Sequence, residues 1–449
     1  MSSSSHGLSA RQSLLVGITL FSMFFGAGNL ILPPLLGYQA GVASVPAVAG
    51  FLVTGIGLPV FGVMSCALVG DLDQLGGRVH PRFAFVFAIL IYLSIGPCLA
   101  IPRTASTAYR MLVPVVAETT GAAAEGAFSP LAIAFSVLFF AAAGVLALRP
   151  GKLTRLLGKV TGPALIALIV VVAVSAVAAP LSAPQPVQAP YDRVPLLQGF
   201  ITGYQTMDVL ASVTFGIVIA QNIRGLGVSE DAAVAREVMR AGALMGALMA
   251  LVYCGMAAVG TLLGNAAGQV SNGADVLSAS ATLHFGLAGT VIVAVIFLLA
   301  CLNVCIGLLC CCAEFFSEKF PRVPYRAWVA GFAVFSCVVS VAGLDAILAF
   351  SVPLLNALYP VAIVLVLMGM LHRLVDRAPR VWAWVAVTAA VVSAATSLRD
   401  VLAPGAWLPF DALPLADLGF NWVVPVLAAV AAGVVHSRLV AGAAVPATR

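Results

Sequence analysis

The first long apolar run of the chain is interrupted in its middle. The stretch SMFFGAGNLILPP places Gly26, Gly28 and Asn29 where the centre of a membrane-spanning helix falls, with Pro33 and Pro34 close behind. Glycine costs about 1 kcal/mol in a helix interior and proline about 3. A helix whose task is only to span would not carry them. Backbone that leaves the helix at membrane depth must line a cavity, because N–H and C=O groups facing lipid without partners cost several kcal/mol each. A glycine-interrupted span is the pointer to a binding site in a secondary transporter.

Composition bounds the rest. With 62% hydrophobic and 9% charged residues, the chain is far below the roughly 25% charged residues of soluble domains. It reads as one polytopic membrane body with no polar block long enough for a soluble domain. The net charge of +5 reflects basic loops rather than a nucleic-acid partner. The polar start, MSSSSHGLSARQ, leads into an apolar run too long for a signal-peptide core, so it reads as a retained first span. The nine cysteines all lie in or beside apolar runs and read as small core residues. Cys310, Cys311 and Cys312 are consecutive and diverge on a helix, so no transition-metal site is expected.

Crossing the hydrocarbon takes about 20 apolar residues. Twelve candidate spans follow: 12–35, 42–68, 83–108, 129–148, 160–179, 196–221, 239–262, 282–312, 326–343, 346–371, 381–397 and 419–437. Of the 22 basic residues, only Arg103, Arg110, Arg193 and Arg399 fall on the segments opposite the amino end. The other eighteen, from Arg11 through Lys152 to Arg449, fall on its side. The positive-inside rule then puts both termini in the cytoplasm.

A second break lies in the sixth span, where Gly199, Gly203, Gln205, Thr206 and Asp208 interrupt an apolar helix. Spans one to five and six to ten are of about equal length and each set begins with a broken member. A five-span repeat enters the membrane from opposite sides in its two copies, which is the inverted repeat of several secondary transporters. The expected fold is all-α: about 12 transmembrane helices, a five-plus-five inverted repeat with broken helices 1 and 6, and two extra helices. The single transporter domain, 1–449, divides into repeats 12–179 and 196–371 and an appended pair 381–437. The segment between residues 399 and 417 reads as an ordinary outer loop.

FSMFFGAGNLILPPLLG (21–37), YLSIGPCLAIPRTA (92–105), GYQTMDVLASVTFGIVI (203–219) and CLNVCIGLLCCCAEFF (301–316) resemble, in the same order, signature stretches of the bacterial branched-chain amino acid carriers. The resemblance implies a LeuT-like fold and a cytoplasmic-membrane symporter importing leucine, isoleucine and valine with a cation, usually sodium. It needs no cofactor beyond Na+ or H+ as coupling ion, and its partners are substrate, cation and membrane lipid. By this resemblance Gly26, Ala27, Gly28 and Asn29 match the unwound part of span one, and Thr206 matches a threonine in the break of span six. The candidate substrate-binding set, drawn from the two breaks and their neighbours, is Phe25, Ala27, Gly28, Gly203, Tyr204, Gln205 and Asp208, with Phe25 and Tyr204 shaping its apolar end. The implied cation set is Ser22, Gly26, Asn29, Thr206, Ala300 and Asn303, whose oxygens suit hard Na+. One departure stands out: where the family shows paired threonines in span eight, this chain has Asn303 and Val304, and Val304 offers no ligand.

Several residues carry two readings. Asp208 within a span is costly, by about 3 kcal/mol on insertion scales, and is a functional candidate by default; it serves as a contact to the substrate amine, a cation ligand or a proton carrier, or else bonds backbone freed by the break. Glu314 reads as an interfacial charge. Arg103 either gates an outer vestibule or snorkels to the interface. Gly242 to Gly246 and Gly260 to Gly264 read as close helix packing. Helix N-termini suit a carboxylate and C-terminal carbonyls a cation, which together select an amino acid backbone with an apolar side chain. A proton-coupled carrier of another neutral solute remains the rival. Enzyme motifs such as HExxH, GxSxG and the Walker A pattern are absent, and a channel is disfavoured by two broken spans in a repeat.

Overall fold

The computed structural model describes every residue except 1–6, 121–128, 150–153, 207, 269, 271 and 444–449, with only the backbone of 117–120, 154, 344–346, 348–352 and 441–443. Lys152 and Arg449 of the basic tally therefore lie outside the described residues. The described residues form helices and loops, with no strand among them. Nine helical stretches among them are long and apolar enough to cross a membrane, and ten when the bent pair Pro195–Tyr204 and Asp208–Gly225 counts as one span. The stretch Ala27–Val69 joins the second half of span one to the whole of span two through a tight turn at Gly41–Ala43. Ala10–Phe24 and Tyr325–Ser340 are the shorter apolar helices. Each of the twelve expected spans therefore has a helical counterpart.

The boundaries differ where local signals override hydropathy. Span eight was expected to start at 282, but a separate helix, Gly273–Phe285, ends at Gly286, whose φ of 59° suits glycine. The long helix begins after it, at Leu287, and runs to Lys319. Span seven runs from Asp231 to Leu263. Its 33 residues reach about 50 Å at 1.5 Å per residue, so it projects beyond the hydrocarbon.

Glycine sets how the central spans cross. A Cβ on Gly37 would lie 1.9 Å from the Ala257 carbonyl oxygen, and one on Gly260 would lie 1.9 Å from that of Pro34. Spans one and seven thus touch backbone to backbone. Spans two and six do the same: Cβ atoms on Gly50 and Gly199 would lie 1.9 Å from Leu196 O and 1.8 Å from Ala47 O. Gly242 and Gly246 face Val63 and Val60 of span two at 3.1 and 2.8 Å. Gly242, Gly246 and Gly260 provide the close helix packing expected of them, with Gly260 the tightest, whereas Gly264 caps the end of span seven at φ 49° and packs on Ser182 and Ala183 of a loop.

Ion pairs mark one end of the bundle, called here the basic end. Lys319 pairs with Asp73 and Arg78 with Asp376, tying the loop after span two to span eight and to the loop after span ten. At the same end the buried Glu237 of span seven accepts from Ser13 Oγ at 3.0 Å and from Arg240 at 2.7 Å, which anchors the start of span one. At the opposite end Arg399 bridges Asp400 and Asp411 at 2.8 and 2.6 Å, so the 399–417 loop is held by its own charges.

These crossings give a direct test. Gly260→Val is expected to lower the thermal midpoint of the purified protein by several degrees, since overpacking costs about 1–3 kcal/mol. Gly242→Ala meets only the end of a valine side chain and should shift it by much less. Equal midpoints, read by fluorescence-detected size exclusion, would show that the backbone contact does not hold the crossing.

Candidate functional site

Span one breaks over two residues. Ala10–Phe24 ends at Phe25 (φ −77°, ψ 86°), and Gly26 is extended (φ −109°, ψ −168°) before Ala27–Ala40 resumes. The break is narrower than the sequence suggested, for Gly28 and Asn29 already lie in the second helix. Three bonds close it: Phe25 N–H to Phe21 O at 2.8 Å, Asn29 Nδ2 to Phe24 O at 2.7 Å and Leu30 N–H to Gly26 O at 3.2 Å. The N–H groups of Ala27, Gly28 and Asn29 open the second helix without an intrahelical acceptor. Gly26 gives them no side-chain cap. Pro33 and Pro34 sit inside this helix, where their missing N–H groups release the carbonyls of Asn29 and Leu30.

Span six bends by 46° between Pro195–Tyr204 and Asp208–Gly225. Gly199 and Gly203 do not break it. They lie within the first helix, and the chain turns at Gln205 and Thr206; the N–H and Oγ1 of Thr206 both donate to Gly203 O, at 3.2 and 3.0 Å. Span three holds a third irregularity. Its turn Ser94–Cys98 is a wide one, with Gly96 out of helical geometry (φ −93°, ψ −128°). A Cβ on Gly96 would lie 2.6 Å from Cys312 Sγ, so spans three and eight meet there.

The three irregularities surround one cavity of about 80 Å³. Gly26, Ala27, Gly28 and Asn29 line it from span one, and Thr206 and Asp208 from span six. Arg103 and Thr104 enter from span three, just past its bulge, and Val304 and Leu308 from span eight. Phe24 and Phe215 meet edge to face at 4.9 Å and cover the cavity between the basic-end halves of spans one and six. Asp208 faces Thr206, Asn29 and Arg103, and its Oδ2 is buried with no hydrogen-bond partner among the described residues. The site therefore offers a carboxylate with one oxygen unused, a guanidinium, an uncapped helix N-terminus and apolar walls.

The remaining expected residues lie elsewhere. Phe25 is fully buried, stacked on Phe21 at 5.0 Å and 6.1 Å from Tyr253. Tyr204 points at Tyr359 and Phe420, with ring centres 4.6 and 5.0 Å away. Gly203 packs on Phe51 O of span two, and Gln205 is exposed. Ser22 Oγ donates to Ile18 O at 2.8 Å and to Leu157 O of span five at 3.4 Å. Ala300 and Asn303 are fully buried in span eight. Gly307 of that helix faces Met23, and Val304 faces Gly26. By the three-and-four spacing of a helix, Ala300 and Asn303 share the side of Gly307 that packs on the end of the first helix. Neither amide atom of Asn303 has a partner among the described residues.

Sequence reasoning weighed Arg103 but did not put it in the cavity. The signal was present in Gly96-Pro97, the same glycine-and-proline interruption that marked span one. Glu314 accepts from Gln221 Nε2 at 2.8 Å, a contact outside the cavity. All nine cysteines are free, and no cluster of metal-ligating side chains exists among the described residues.

Broken helices around a mixed-charge cavity define a membrane transporter of the inverted-repeat kind. The fold matches that of Mhp1, a nucleobase-cation-symport-1 family transporter in a closed conformation with bromovinylhydantoin bound, at a TM-score of 0.59 and 15% identity over 96% of this chain and 93% of that one. The chain belongs to the family described as branched-chain amino acid transport protein, whose profile matches residues 9–440. It is 39% identical to the branched-chain amino acid transport system 2 carrier protein of Pseudomonas aeruginosa, over 95% of this chain and 96% of that one. It is 35% identical to the branched-chain amino acid permease BraB of Bacillus subtilis, over 94% of each. These relatives are carriers and permeases, not enzymes.

Gly28 gives the sharpest test of the cavity. A Cβ there meets nothing within 4 Å, so the side chain of Gly28→Val starts in free space. The variant is expected to keep its thermal midpoint and lose uptake by more than tenfold. Normal uptake would mean that the solute does not use this cavity.

Proposed function

We propose that the protein is a secondary carrier that imports leucine, isoleucine and valine across a bacterial cytoplasmic membrane by symport with a cation, sodium. The observation that carries this reading is the cavity at two helix breaks, with an uncapped helix N-terminus and the Asp208 carboxylate, one oxygen of it without a partner among the described residues, facing it. The names of the relatives supply the substrate class. Both termini lie in the cytoplasm, so the basic end is the inner one and Phe24 with Phe215 forms the inner seal. Repeats 12–179 and 196–371 are the two inverted copies, and 381–437 the appended pair.

The substrate carboxylate meets the N–H groups of Ala27 and Gly28, where the helix dipole favours negative charge. Its ammonium meets Asp208, and its side chain lies against Phe24, Phe215 and Leu355. Sodium is held by the oxygens of Asn29 and Thr206 beside the carboxylate. A second sodium lies between span eight and the end of the first helix, where Ser22, Ala300 and Asn303 supply oxygens. The unpaired amide of Asn303 supports this site, since a fully buried polar group without a partner costs about 1–3 kcal/mol. Val304 contributes a methyl against Gly26 instead. Spans one and six then tilt with their glycine-packed partners seven and two, opening the cavity to each side in turn.

Asp208 sustains a second reading. A carboxylate with a free oxygen in a membrane cavity can also take up the coupling proton. Leucine uptake into proteoliposomes under an imposed sodium gradient, a proton gradient or neither separates the two. Concentrative uptake on sodium alone is expected, uptake on protons alone would transfer coupling to Asp208, and no uptake by folded protein would sink the substrate class. The second cation site has its own readout. A ligand that binds only the folded state at 100 times its Kd stabilises it by about 2.7 kcal/mol. Sodium, against potassium at equal ionic strength, is expected to raise the thermal midpoint of the wild type by several degrees and that of Asn303→Ala by clearly less. An equal rise in both would remove Asn303 from the site.

A further inference from the structure

Two of the described residues lining the cavity carry formal charge, Arg103 and Asp208. They are near enough for each to act on the charge of the other. Yet among the described residues no ion pair joins them, the guanidinium makes no hydrogen bond, and Asp208 Oδ2 is left alone. Opposite charges in a medium of low dielectric attract strongly, and leaving a buried charge without its partner is destabilising. Two such groups that share a wall without closing on each other leave room for something that carries both signs. Water does not neutralise either one. A zwitterion does, with its ammonium toward Asp208 and its carboxylate toward Arg103.

Geometry favours that orientation. Arg103 enters on the ordered turn after the span-three bulge, its N–H bonded to Leu99 O at 3.3 Å. A guanidinium presents a planar fork that matches a carboxylate bidentately. The N–H groups of Ala27 and Gly28 open onto the same cavity. We propose that Arg103 reads the substrate carboxylate, so that the amino acid is held as a zwitterion between Arg103 and Asp208. This rests on the carrier reading above and adds a residue to it. Each of the two charges then meets a counter-charge at contact only with both ends of the substrate present. An acid lacking the ammonium leaves Asp208 unpaired, and an amine lacking the carboxylate leaves Arg103 unpaired.

The test is competition against radiolabelled leucine on the purified protein, with leucine and leucinamide as competitors. Leucinamide keeps the ammonium and side chain and lacks the carboxylate. Wild type should prefer leucine by about tenfold or more, the size of one charge-assisted contact. In Arg103→Gln, leucine is expected to weaken by that factor while leucinamide is unchanged, so the ratio collapses toward one. Arg103→Lys, which keeps the charge and loses the fork, should give an intermediate ratio, and it decides the matter if the glutamine variant does not fold. A ratio that survives the substitution, whether both ligands weaken together or neither does, overturns the proposal and leaves Arg103 a structural role. Wild-type protein that binds no leucine at all would instead overturn the carrier reading, and this one with it.

Discussion

The structure depends on what a helix must do with its backbone when it stops inside a membrane. At Phe25-Gly26 and at Gln205-Thr206 the regular ladder ends, and no lipid can satisfy the groups it releases. The chain answers locally first: Asn29 Nδ2 returns to Phe24 O, and Thr206 Oγ1 to Gly203 O. What remains open faces inward onto the shared cavity. The same groups that would be intolerable toward lipid become its polar lining, and the break and the site are one feature.

Everything around the breaks serves to hold them at one depth. Spans one and seven, and two and six, approach to backbone contact through Gly37, Gly260, Gly50 and Gly199. Those contacts tie each broken helix to a whole one. Spans three and eight press Val304 against Gly26 and bring Arg103 to the opening of the second helix. Glu237, buried beneath Ser13 and Arg240, fixes the entry of span one at the far end. A substitution at Gly37, Gly50, Gly199, Gly260 or Glu237 therefore reaches the cavity without touching it.

Much of this was legible in the residues. Apolar runs of spanning length gave the helices, and Gly26, Gly28 and Asp208 gave the two breaks. What was not legible is where side chains point once the helix is interrupted. Phe25 and Tyr204 are neighbours of the breaks in sequence, yet one stacks on Phe21 and the other on Tyr359. Periodicity cannot assign a face to a residue outside the period. Gly199 and Gly203 were read as helix breakers because glycine is costly in a helix, but packing against Ala47 O and Phe51 O outweighs that propensity. Arg103 was hidden for another reason: a lone charge near a span end usually reaches for the interface, and only the Gly96-Pro97 bulge turns it toward the cavity.

The central claim is that the substrate lies at the meeting point of the two breaks. A cryo-electron microscopy map of the protein in a lipid nanodisc with sodium and leucine tests it most directly. The account predicts density for the amino acid between the opening of the Ala27–Ala40 helix and Asp208, with the apolar side chain toward Phe24 and Phe215. Density for leucine in any other cleft, with this cavity filled only by side chains, would contradict it.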